Sequence, residues 1–187
     1  MVATPQISTS TSLPSAQEAK DAICDLIAAA GGVFRGKVRL HKAFYFAHLF
    51  YWREGEGVLT DHPVVRAPQG PFIDNAERLL RELKADGIIS IGSAPVGPFQ
   101  ETVYRLEVPR SIDTHSARGR AIRQAVEFVD NRTAVELSEL THQYSVSWRT
   151  TDNGREMDIY LDVLAEDELA RMQEEIAEFR RSGGDAA

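Results

Sequence analysis

Cysteine is nearly absent: the single Cys24 excludes an intrachain disulfide and a cysteine-based zinc quartet, a usage that fits a reducing compartment. No apolar run approaches the roughly 18 residues that a membrane-spanning helix needs. The N-terminus carries neither a basic leader nor a hydrophobic signal core, so the expectation is a cytoplasmic protein without a membrane partner. Phosphate-cradling patterns are missing too, since Gly31-Gly32 opens no G-x-G-x-x-G and no G-x-x-x-x-G-K-[ST] occurs. There is no G-x-S-x-G elbow and no H-E-x-x-H, because His41 and His48 are seven residues apart rather than four. The histidines and Cys24 therefore read as hydrogen-bonded or buried packing residues. No catalytic residue, cofactor or metal site is expected, and the chain reads as a non-enzyme.

What is present is ordinary globular material. The chain has 187 residues, 43% hydrophobic and 26% charged, which fits one domain. Its net charge of −7 is unevenly placed: from Asp152 to Glu178 there are ten acidic and two basic residues. By contrast Arg35, Lys37, Arg39, Lys42 and Arg53 fall in a stretch with no acidic residue before Glu54. That polarity suits a basic partner at one end better than uniform affinity for nucleic acid.

Residues 1–14 form a Ser/Thr/Pro tract without apolar periodicity and read as a disordered arm, followed by a folded domain over 15–181 and a short tail over 182–187. Ser15 is the expected N-cap of a first helix with Ile23, Leu26, Ile27 and Ala30 on one face, stopped by Gly31-Gly32. Val38 to Trp52 is apolar on nearly every side and predicts a central, buried helix. His62 to Arg66 suggests a short strand, and Ala67-Pro68-Gln69-Gly70-Pro71 a rigid turn whose prolines interrupt any ladder. Asp74 with Glu77 reads as a capping-box variant opening a helix to Asp86, and Ile88 to Val108 as a β-hairpin with a wide loop over 93–100. Two more helices follow, Ala117 to Val129 and one boxed by Thr133 and Glu136. Met157 to Leu161 reads as extended, and an acidic terminal helix carries Leu169, Met172, Ile176 and Phe179. The fold class is α+β, predominantly helical, with a central aromatic-rich helix and one small antiparallel sheet that gathers the hairpin and the strands around Val65 and Met157.

Helices followed by a capped helix and then a hairpin is also the order of a winged-helix DNA-binding module, with Arg78, Arg81 and Lys84 facing phosphates and residues 92–101 as the wing. The wing loop has no Lys or Arg, so the electrostatic footprint is thin.

Three separated blocks carry a family resemblance. Leu40-His41-Lys42-Ala43-Phe44-Tyr45-Phe46-Ala47-His48, then Val64-Val65-Arg66-Ala67-Pro68-Gln69-Gly70-Pro71, then Glu136-Leu137-Ser138-Glu139-Leu140-Thr141-His142 leading to Trp148, resemble the Panacea domain, also described as the SocA-like antitoxin domain. The likeness runs from about residue 18 to 165. Where that family commonly has Tyr before Gly-Pro, this chain has Gln69. The resemblance implies a bacterial or phage antitoxin that binds and neutralises a protein toxin encoded by an adjacent gene, with delivery to a protease as a role of some relatives. On that reading the contact candidates are Tyr51, Trp52 and Arg53 at the end of the central helix, Gln69 and Phe72 at the turn, and Trp148 with Arg149. Glu174, Glu175 and Glu178 would steer a basic partner.

Overall fold

The structure, a computed structural model, describes residues 14–163. The segment expected to form an acidic C-terminal helix, with Glu174, Glu175 and Glu178, the expected tail over 182–187 and all but the last residue of the expected N-terminal arm lie outside the described residues.

The chain is a mostly helical α+β domain. Helix α1 (Pro14–Ala29) begins one residue before the expected cap, with Pro14 in its first turn, where a missing N–H costs nothing. Ile23, Leu26 and Ile27 are fully buried along its stripe. It ends in a Schellman motif: Gly32 N–H donates to Ile27 O (2.9 Å) and Gly31 N–H to Ala28 O (3.0 Å), with both glycines at positive φ. Strand β1 (Val33–Arg35) then leads into α2 (Lys37–Arg53).

Every residue of α2 from Leu40 to Leu49 is buried, as an apolar circumference requires. This helix packs on α4 (Ala117–Asp130) above all, and also on α1, on α5 (Ala134–Tyr144) and on strand β3 (Gly70–Ile73). Arg39 reaches from α2 to the end of α4 and donates to the carbonyls of Val129 and Asp130 (2.8 Å to the latter), placing a cation on the negative end of that helix. The predicted inward face of α4 is buried throughout: Ala121, Ile122, Ala125, Val126 and Val129. At the start of α5 the capping box of Thr133 and Glu136 forms in both directions. The short α6 (Val146–Thr150) follows.

The strands fall into two sheets rather than one. Strand β1 is the third strand of a sheet ordered β1-β5-β4, where β4 (Ile89–Val96) and β5 (Phe99–Leu106) form the hairpin. Strand β2 (Val64–Ala67) pairs with β3 separately, and its other edge takes an isolated bridge from Val65 to Glu156. Beyond that bridge the chain turns helical at 160–163 instead of staying extended.

Three local expectations are corrected. The 93–100 loop is not wide: the ladder continues to Val96↔Phe99 and closes on Gly97-Pro98, with Gly97 at φ 55 as the first residue of a two-residue turn. Pro71 does not interrupt the β2–β3 ladder. Asp74 N–H donates to Pro63 O, so 63/74, 65/72 and 67/70 are the hydrogen-bonded pairs, and Pro71 lies opposite Arg66, where no amide is needed. Asp74 does not cap α3 (Ala76–Ala85). The N-cap is Asn75 in the left-handed region (φ 48) with no side-chain cap, and Glu77 reaches instead to Lys37 at 3.0 Å.

Candidate recognition site at the β2–β3 hairpin

The tip of the second hairpin is Pro68-Gln69, both exposed, between Ala67 and Gly70. Gly70 has φ +101, and a Cβ there would lie 1.9 Å from Lys42 Nζ and 2.4 Å from Thr141 Oγ1. Glycine is thus required twice, by the backbone conformation and by what presses on it. What presses is a lysine from the middle of α2: Lys42 is fully buried, and its ammonium donates to the Gln69 carbonyl at 2.5 Å. Among the described residues no carboxylate pairs with it. Thr141 turns its hydroxyl back to its own helix, donating to Leu137 O and Ser138 O.

The other flank of the hairpin is held by α5 and α6. The Trp148 indole N–H donates to Ala67 O (2.9 Å), His142 stacks on the indole at 4.0 Å, and the Arg66 guanidinium lies over it at 4.5 Å. Arg66 also donates to Thr151 O (2.9 Å). The geometry of Trp148 is set from below by the Ser145 hydroxyl, which accepts from Trp148 N–H (2.9 Å) and donates to buried Asp162 (2.8 Å). On the inner side Phe72 stacks on His41 at 4.0 Å, and His41 Nδ1 accepts from Ile73 N–H.

Burial governs the charge of this cluster. It lowers the Lys42 pKa to about 7. It lowers His41 to about 3, with Lys37 and Lys42 adding repulsion. It also moves His142 below its usual range, again with help from Lys42. Both imidazoles are thereby biased toward their neutral forms beside Lys42 and Arg66, and the cluster acts as a clamp on the backbone of a surface hairpin. With its ammonium sealed from solvent, Lys42 is placed to hold a carbonyl rather than to attack a dissolved substrate.

The residues expected at a partner surface separate into groups. Gln69, Phe72 and Trp148 gather at this hairpin, with Gln69 exposed and the two rings half-buried by the contacts above. Arg149 is exposed beside Trp148 in α6. Tyr51, Trp52 and Arg53 are elsewhere: ten residues separate Lys42 from Trp52, about 15 Å along a helix. There Trp52 packs edge-on against Tyr160 at 5.2 Å, and Arg53 lies over Phe50. Arg78, Arg81 and Lys84 all sit exposed on α3, with Arg78 paired to Glu82 at 3.0 Å.

Lys42, Arg66, Thr141 and His142 were not among the expected site residues. The signal for Lys42 was its place within the apolar run of α2, where a charge that is buried needs an acceptor. Cys24 and His48 hold to packing roles, for burial pushes the thiol up to about 11 and the imidazole down to about 3. His48 Nδ1 accepts from Leu59 N–H. No group of three or more His, Cys, Asp or Glu suited to a metal occurs among the described residues. An open groove of about 650 Å³ lies between the start of α2, the β4–β5 tip and the α4–α5 turn, lined by both signs of charge. Compared with known proteins, the chain matches no family model, no curated protein and no solved structure.

Proposed function

We propose that the Pro68-Gln69 tip is the recognition edge of an antitoxin-like protein that neutralises a cognate protein toxin by direct binding, with delivery of the toxin to a protease as a further role. The observation that carries the reading is the clamp behind the tip: a buried lysine, with no carboxylate partner among the described residues, is directed at the carbonyl of an exposed loop residue. A loop fixed in this way loses little entropy on binding. Loops held rigidly by a scaffold are where binding residues concentrate. The three blocks on which the resemblance to the Panacea domain rests converge at this hairpin, which supports taking tip and clamp as one unit.

The test is colony formation when the open reading frame beside this gene is induced in a bacterial host, with and without this protein. Relief of toxicity and co-purification of the two products are expected, both weakened by Gln69→Arg in a protein that still melts cooperatively. A harmless neighbour, or toxicity that persists on co-expression, removes the reading. Charge reversal of Glu174, Glu175 and Glu178 should slow association and flatten its salt dependence; unchanged kinetics discards the steering role.

One observation favours a second reading, promoter binding. β1 lies between α1 and α2 and joins the α3–β4–β5 hairpin unit as its third strand, the wiring of a winged helix, and Arg78, Arg81 and Lys84 are exposed on α3. A gel shift on the upstream DNA that stays blank at low salt refutes it.

A further inference from the structure

A second groove, of about 470 Å³, lies at the base of β2, between the 58–63 loop and the segment 156–160. Its walls are apolar at depth, with Val64, Met157 and Ile159 buried and Val58 and Pro63 half-buried. Its outer part is acidic: Asp61, Glu156 and Asp158 are all exposed, and no lysine or arginine lines the groove. None of these three carboxylates has an ion-pair partner among the described residues, whereas Asp21, Asp25, Glu54, Glu77 and Glu82 all do. Tyr160 adds a ring that is 49% exposed and packs edge-on against Trp52. His62 lines the same groove at 8% exposure. Its Nε2 lies 2.9 Å from the Asp74 carbonyl, which can only accept, so in the neutral ring Nε2 carries the proton and Nδ1 is a bare acceptor. No described group donates to that Nδ1. The backbone points the same way. Arg155 O and Met157 N–H are bonded to β2, so the N–H and C=O of exposed Glu156 alternate to the other side, and neither makes a backbone bond among the described residues.

We propose that this groove docks an extended basic segment of a partner protein, with arginine or lysine side chains on the three carboxylates and apolar neighbours against the walls. Charge selects the occupant. Three anions and the His62 nitrogen all lack donors, so the fitting ligand is a cation rich in N–H groups, and an acidic peptide or a nucleic acid is repelled. A metal ion fits poorly, because no group of three or more His, Cys, Asp or Glu suited to one occurs among the described residues. The Tyr160 ring suits a guanidinium or ammonium, which aromatic faces attract. The open N–H and C=O of Glu156 favour a peptide over a small amine, since an extended chain pairs with them while its side chains reach the carboxylates. The groove shares no residue with the Pro68-Gln69 tip or its clamp, so it stands or falls apart from toxin binding.

NMR titration of the full, ¹⁵N-labelled chain at physiological salt tests it, with a blocked peptide of alternating arginine and leucine as the probe. Saturable shifts confined to residues 58–64 and 156–160 are expected, and a peptide with citrulline in place of arginine should bind at least about tenfold more weakly. The double variant Glu156→Gln, Asp158→Asn should lose about tenfold in affinity with an unchanged circular dichroism spectrum. Asp86→Asn with Glu107→Gln removes as many charges elsewhere and should change affinity less than about twofold. Absence of binding overturns the proposal, as do shifts centred on other residues, equal binding of the citrulline peptide, or equal losses in the two double variants. Spermidine that binds this groove as tightly as the peptide overturns the assignment to a protein segment. If the groove variant unfolds, Asp61→Asn decides: its side chain makes no hydrogen bond or ion pair among the described residues, and unweakened binding overturns the proposal.

Discussion

Lys42→Met keeps an unbranched buried side chain, one atom shorter, and removes its charge. In the wild type the ammonium must be desolvated on folding, and its pKa falls from 10.5 to about 7. A base whose folded pKa is depressed binds fewer protons folded than unfolded between those two values, so stability rises with pH across that window. Each tenfold change in proton affinity is about 1.4 kcal/mol. The burial cost is therefore on the order of 4 kcal/mol at pH 7 and falls below about 1 kcal/mol at pH 10. Against it stands the hydrogen bond to Gln69 O, a charge-assisted bond of about 1.5–3 kcal/mol that methionine loses. The net expectation is a variant more stable than the wild type by about 2 kcal/mol at pH 7, or about 4–8 °C in Tm for a chain of this size. The advantage should shrink to near zero toward pH 10, where the buried amine is neutral and its bond to Gln69 O is an ordinary one of about 0.5–1.5 kcal/mol. Urea titrations of both proteins at a series of pH values give the difference directly, and other titrating groups cancel in it. A variant several kcal/mol less stable at pH 7, or a difference that does not change with pH, would mean that burying the ammonium carries no such cost. The same substitution frees the Gln69 carbonyl, so a gain in stability should come with weaker partner binding.

Gly70→Ala introduces a Cβ into the space held by Lys42 Nζ and Thr141 Oγ1 at φ +101, and should cost about 3 kcal/mol in urea unfolding; a neutral effect would mean that the clamp yields. Asp162 accepts hydrogen bonds from Tyr45 OH, Ser145 Oγ and Ser147 N–H, yet burial leaves its pKa raised. The folded state holds that proton to higher pH than the unfolded state, so its contribution is fully present below the ordinary carboxyl value of 3.8 and is lost as pH rises through the folded value. The stability of wild type relative to Asp162→Asn should thus fall with rising pH in the acidic range, and a rise would contradict the burial argument. Thr133→Ala breaks the capping box of α5 and should cost about 1 kcal/mol, measured as a Tm loss of about 2–4 °C.

The helices were legible because their signals are local. The stripes of α1 and α4, the Thr133 box and the all-round apolar α2 each depend on residues within a few turns of one another. Where reading failed, the competing physics was non-local. Asp74 has the right spacing for a cap, but its amide belongs to the β2–β3 ladder, which leaves Asn75 to start α3 in a left-handed conformation. Pro71 looks like a ladder breaker until the register shows which side of the strand needs an amide. Met157 reads as extended, and only its bond to Val64 O shows that the segment lies against β2 rather than in the larger sheet.

The candidate site divides along the same line. Periodicity, proline geometry and composition are enough to bury α2 all round, to turn the chain sharply at Pro68 to Pro71, and to place Lys42 in a basic stretch without acidic residues. That these features form one object follows from packing between distant parts of the chain. Gly70 needs to be glycine because Lys42 and Thr141, 28 residues before it and 71 after it in the chain, meet where its Cβ would be. Trp148 is fixed by Ala67, Arg66 and His142 rather than displayed alone. Hydrogen bonds to buried backbone carbonyls leave no pattern in sequence, because every residue has a carbonyl and only packing determines which of them a distant side chain reaches.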